Sequence, residues 1–258
     1  MRKIIGLIKR NLLVYFKDRA TVIFSMLTPI IILVLNILFL KDSFASGIAS
    51  AAEGLKDLLG ANTIDTLANE LLLSGILGSA LMTVSYNSLV TIVRDRENKV
   101  DYNILSTPLR RFDIVFSYFT ASAISAFLIS FVILNFGLIL LAVINSFSIS
   151  FTGVLRLYGI TFLGALSGTA LTMVIVIFFK STAASGAFLG ILSAAAGFMI
   201  GAYLPLSQFA TGVRSICNLF PGTGVTALLR DALLGQTLDE VNQTLAGMDG
   251  GAFSEAIL

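Results

Sequence analysis

The chain has 258 residues, of which 56% are hydrophobic and 12% charged, with a net charge of +2. Soluble domains carry about 25% charged residues, so this composition excludes an ordinary soluble domain. With no histidine and one cysteine, Cys217, it also excludes a Cys/His zinc site, a His-dependent catalytic dyad and an internal disulfide.

The leader carries Arg2, Lys3, Lys9, Arg10, Lys17 and Arg19 against one acid, Asp18. Over residues 3–18 the basic residues share one arc of a helix. Ile4, Ile5, Leu7, Ile8, Leu12, Tyr15 and Phe16 take much of the other side. That pattern predicts an amphipathic helix lying in the membrane interface. The apolar run that follows is longer than the core of a signal peptide, so it is not expected to be cleaved.

Five apolar stretches hold no ionisable residue: 21–40, 71–93, 114–144, 157–179 and 181–213. Crossing a bilayer takes about 20 apolar helical residues. The expected spans are therefore about 21–40, 71–93, 114–144, 157–179 and 183–204. Pro29 should bend the first of them. Ion-coupled transporters place ionisable groups within the membrane, so the energy for this protein's task is expected from elsewhere.

Charge sets the expected topology. The basic leader lies in the cytoplasm under the positive-inside rule. The acidic segment 41–70 falls outside, and the connector 94–113, with Arg94, Arg96, Lys99, Arg110 and Arg111, returns inside. Loop 145–156 falls outside and Lys180 marks a short inner turn. Spans four and five contain Gly164-x-x-x-Gly168, Gly186-x-x-x-Gly190 and Gly197-x-x-x-Gly201, which permit close helix approach. Residues 205–235 carry Pro205, Arg214, Pro221, Arg230 and Asp231. They read as a re-entrant or interfacial helical pair rather than a span. Residues 236–258 read as a polar, exposed tail.

No glycine-rich phosphate loop is present, so the chain is not expected to bind ATP in that manner. No metal site, catalytic residue or nucleic-acid interaction is expected. The connector is the richest segment. Mixed charges from Arg94 to Lys99 lead to the apolar pair Ile104 and Leu105, then to Thr107-Pro108. A short helix with a charged face and an apolar tip suits insertion into a partner's groove. On span two, Gly75, Ser79, Met82 and Tyr86 form one helical stripe.

In order and spacing these motifs resemble the permease subunit of ABC-2 type exporters, the drug, polysaccharide and antibiotic efflux class. The amphipathic leader helix, Glu97 followed by Leu105-Ser106-Thr107-Pro108, and Leu204-Pro205 with Pro221 and Arg230 carry the likeness. It covers the leader through about Gly235. The resemblance implies an all-α membrane bundle with five spans and an outer re-entrant segment, in the plasma membrane with the N-terminus inside. It implies two P-loop ATPase subunits holding ATP and Mg, and a second permease, identical or homologous. It implies coupling through Lys9, Arg10, Glu97, Asp101, Leu105 and Pro108. It also implies a path along spans two and five, and an outer gate at Pro205, Pro221 and Arg230. The sixth span of that family has no counterpart after Leu234. The rival expectation is a passive channel, scaffold or immunity protein working without ATP.

Overall fold

The computed structural model describes residues 2–35, 38–39, 61–144, 150–201 and 210–244. All of its elements are helical, with no strand among the described residues. They are α1 (Arg2–Lys17), α2 (Arg19–Leu35), α3 (Ala61–Glu97), α4 (Val100–Leu105), α5 (Arg111–Val143), α6 (Phe151–Val176), α7 (Thr182–Met199), α8 (Thr211–Leu219) and α9 (Pro221–Thr244). Long apolar runs fold this way because a helix satisfies its backbone hydrogen bonds internally, where lipid offers no partner.

Among the described residues four helices, α3, α5, α6 and α7, are long and apolar enough to cross a membrane. A fifth crossing is counted if α1 and α2, bent by 70° between Lys17 and Arg19, form one broken span. The Asp18 carboxylate accepts the Thr21 amide at 3.2 Å and starts the new helix. Pro29 sits buried within α2.

α3 is the axis of the fold. It packs against α1, α2, α5, α6, α7 and α9. Leu67, Leu73, Leu77 and Leu81 along it are fully buried in the main core, which α5 joins through Ile133 and Leu134 and α9 through Leu229 and Leu233. Close approach depends on missing side chains. A Cβ at Gly78 would overlap the Thr226 hydroxyl, and one at Gly164 would lie 2.7 Å from Leu81 and 2.8 Å from Val225. Gly164 and Gly168 thus pack within the bundle, whereas Gly186 and Gly190 face open space.

Two stretches differ from their sequence reading. α3 begins at Ala61, well before the expected span start at Leu71. Its acidic first turns read as solvated connector, yet Glu70 is fully buried and accepts the Thr237 hydroxyl at 3.2 and 3.1 Å. α9 likewise runs through Gly235 to Thr244, burying Thr237, Leu238 and Val241 where an exposed tail was expected. Its buried positions Val225, Leu229, Leu233 and Val241 recur at multiples of four, and polar residues between them hide that stripe in the average composition. The rest of that expected tail, 245–258, and the acidic segment 41–60 lie outside the described residues.

Candidate functional site

The last turn of α3 is Arg94-Asp95-Arg96-Glu97, and each of the four side chains reaches a different partner. Arg94 Nη2 donates to Asp18 Oδ2 at 2.7 Å, at the α1–α2 elbow. Asp95 receives Arg10 of α1, with Nη2 to Oδ1 at 2.7 Å and Nη1 to Oδ2, and also the Tyr118 hydroxyl of α5 at 2.5 Å. Arg96 Nη1 donates to the Ile177 carbonyl at 2.7 Å, at the end of α6. Glu97 Oε2 accepts the Thr182 amide at 3.0 Å, at the start of α7. Successive residues on a helix point 100° apart, so four in a row sweep the whole circle. Only a helix at the centre of the bundle can use all four.

The charges match what they meet. A cation at the C-terminus of α6 and an anion at the N-terminus of α7 both favour the helix dipoles. Arg94 holds the Asp18 carboxyl below its ordinary value, chiefly by their hydrogen bond. Asp95 is only 4% exposed, so its two donors replace water almost completely. The sequence reading assigns Arg10 to coupling with a partner. Its guanidinium is turned inward onto Asp95, whereas Lys9 is exposed.

Beyond Glu97 the chain turns at Lys99, whose φ is 57°, and starts α4. The apolar pair on α4 divides. Ile104 packs against a core cluster with Tyr86, Leu89 and Tyr118, while Leu105 is 53% exposed beside Tyr102 at 68%. Ser106 Oγ bonds the Asn103 carbonyl at 2.9 Å and Thr107 Oγ1 the Ile104 carbonyl at 2.5 Å. These bonds close the helix before the exposed Pro108. Asp101 is half-buried in the first turn of α4. The Glu97 end of the bundle thus presents a short apolar knob on a hinge, anchored to the helix that carries the four-way hub.

Above the hub, α2, α3 and α7 enclose a groove of about 340 Å³. The expected stripe on α3 is divided. Ser79 lines the groove, together with Thr83 and Asn87. Gly75, Met82 and Tyr86 are buried in the bundle. Met82 packs with Ala196 and Ile200 of α7, and the Tyr86 hydroxyl bonds Ser185 at 2.9 Å, its ring against Phe179 and Phe188.

Residues 57–248 match the family model described as ABC-2 family transporter protein. The chain belongs to the ABC-2 transporter family. It is a multi-pass membrane protein and the permease domain of an ABC transporter, a family without a catalytic ATPase domain that works with ATPase subunits. No curated protein and no solved structure matches the chain.

At the other end of this ABC-2 permease domain, Pro221 opens α9, where a missing N–H costs nothing. Arg230 is buried, and its Nη2 donates to the Gly201 carbonyl at 2.9 Å and the Ile200 carbonyl at 3.4 Å. It therefore caps the end of α7, where Gly201 turns with φ at 75°. Pro205, assigned to the same outer gate, lies outside the described residues. Sequence reasoning missed Asp95 and Tyr118, because one acid within a basic run and one tyrosine at a span end look unexceptional. It also missed Thr83 and Asn87, although Ser79, Thr83 and Asn87 recur every fourth residue.

Proposed function

We propose that this permease domain belongs to an ATP-driven exporter that moves an amphipathic small molecule, lipid or polymer out of the cytoplasm. Two copies of a separate P-loop ATPase, holding ATP and Mg, would dock at the Glu97 end, and a second permease, identical or homologous, would complete the path. The observation that carries this reading is the four-way hub joined to the exposed knob on α4. Displacing α4 pulls on α3, and the hub distributes that motion to α1, α5, α6 and α7.

In this reading the Glu97 end is cytoplasmic, as is the N-terminus, and the protein lies in the plasma membrane with α1 at the interface. Leu105 and Pro108 contact the ATPase, with Lys9, Glu97 and Asp101 nearby and Arg10 acting from behind through Asp95. Cargo moves along α3 and α7, past Ser79. The α8–α9 pair, with Pro221 and Arg230, forms the outer gate, to which Pro205 belongs. The test is coupling in reconstituted complex. Leu105→Ala and Pro108→Ala should leave ATP hydrolysis running while export falls, with the protein still folded. Unchanged export per ATP would refute the role of α4.

A further inference from the structure

We propose that the groove between α2, α3 and α7 binds an uncharged amphiphile whose headgroup carries O–H or N–H donors. The inference deepens the export reading, on which it rests only for the ligand being cargo; the binding itself stands on the chemistry of the groove.

The polar wall is a ladder on α3. Ser79, Thr83 and Asn87 lie four residues apart and all line the groove. The hydroxyl protons there are already committed. Ser79 Oγ donates to the Ile76 carbonyl at 2.9 Å, and Thr83 Oγ1 to the Ser79 and Ala80 carbonyls at 3.1 Å each. Across the groove Ser25 Oγ donates to the Thr21 carbonyl at 2.7 Å and accepts Asn87 Nδ2 at 2.5 Å. A hydroxyl that has donated its one proton retains only acceptor lone pairs. The ladder's hydroxyls therefore offer acceptors and ask the ligand for donors, while Asn87 keeps one N–H that the oxygen of a hydroxylated head can accept.

Charge decides the rest. Among the described residues, no ionisable side chain lines the groove. A formal charge held there would lack a counter-ion in a medium that penalises it by several kcal/mol, on the order of the cost of burying an unpaired ion. A hydroxylated neutral head satisfies the ladder without that cost. Phe24 and Ile32 on α2, Ile76 and Val84 beside the ladder on α3, and Leu189 on α7 give the groove an apolar lining that suits an alkyl chain. The volume falls in the range of small-molecule sites, about 300–1,000 Å³. Asn87 also borders a second cavity beside Tyr15, Asp18 and Arg94, so the ladder leads down to the hub.

The test uses the full chain in lipid nanodiscs. It contains no tryptophan, so Phe24→Trp places a single indole on the groove wall. Its fluorescence is titrated with decyl glucoside, decyl sulfate and decyltrimethylammonium, which share a tail and differ in head. Decyl glucoside should bind about tenfold tighter than either ion. Thr83→Val, which keeps the shape and removes the acceptor, should lower that preference about threefold, and Asn87→Leu should lower it further. Equal affinity for the three heads, or a preference untouched in both variants, would overturn the inference. Glucoside-selective binding in a chain that recruits no ATPase would uphold it while removing the export reading. A recruited ATPase with unselective binding would do the reverse.

Discussion

Arg10 and Asp95, 85 positions apart in sequence, meet as a two-pronged ion pair in which Arg10 Nη2 lies 2.7 Å from Asp95 Oδ1. The pair joins the leader helix to the end of the central helix, and the Tyr118 hydroxyl adds α5 to the same carboxylate. Removing Arg10 leaves the buried Asp95 carboxylate with the Tyr118 hydroxyl alone, and removing Asp95 strips both Arg10 and Tyr118 of their shared acceptor. Asp95→Ala should destabilise the protein by on the order of 3 kcal/mol. Arg10→Ala should cost as much, because the carboxylate it strands is only 4% exposed. Tyr118→Phe removes one bond to a charged group and should cost about 1.5–3 kcal/mol. Thermal unfolding in nanodiscs measures all three, and an unchanged Asp95→Ala midpoint would refute the hub.

The two apolar residues of α4 should behave oppositely. Ile104→Glu places a charge against the core cluster of Tyr86, Leu89 and Tyr118 and should lower thermal stability. Leu105→Glu changes an exposed position and should leave the unfolding midpoint within about 0.5 kcal/mol of wild type. Similar losses in both variants would mean that Leu105 is a packing residue.

Glycines divide by the same logic. Gly78→Ala drives a methyl into Thr226 and should cost about 1–3 kcal/mol through overpacking between α3 and α9. Gly190→Ala meets nothing within 4 Å and should be neutral. Parallel unfolding curves of the two variants check this, and a Gly78→Ala protein as stable as wild type would contradict the close α3–α9 contact.

Arg230 holds both carbonyls that end α7 through one nitrogen, Nη2, which a lysine, one heavy atom shorter, does not reach. Arg230→Lys should speed hydrogen exchange at the last turn of α7 and at the start of α9, while the Glu97 end stays protected. Arg230→Ala should cost about 1–3 kcal/mol, the penalty of carbonyls left unpaired. Protection unchanged around Gly201 would remove Arg230 from this role.

A bundle of helices long and apolar enough to cross a membrane was legible because lipid imposes a uniform demand on composition. α5 and α7 begin within a few residues of their expected starts, at Arg111 and Thr182, since charged or polar residues mark them. The beginning of α3 was not legible, because Asn69 and Glu70 read as solvent-facing until Thr237 of α9 is known to bond Glu70. α9 hid for the same reason, each helix concealing the other's buried polar face. At the site, the connector as a unit could be read from its charge and its Leu-x-x-Pro element. The split between Ile104 and Leu105 could not, because it depends on the rotation that Lys99 gives α4. Nor could the inward turn of Arg10, whose partner lies on a distant helix.

The central claim is that α4 docks an ATPase and passes its motion to the hub at the end of α3. The most direct measurement is to tag the chain in its native host, extract it in mild detergent and identify what accompanies it. The account predicts a stoichiometric P-loop ATPase that is lost from Leu105→Glu while the variant keeps its wild-type unfolding midpoint. A well-folded sample without an ATPase, or an ATPase that stays bound to Leu105→Glu, would contradict it.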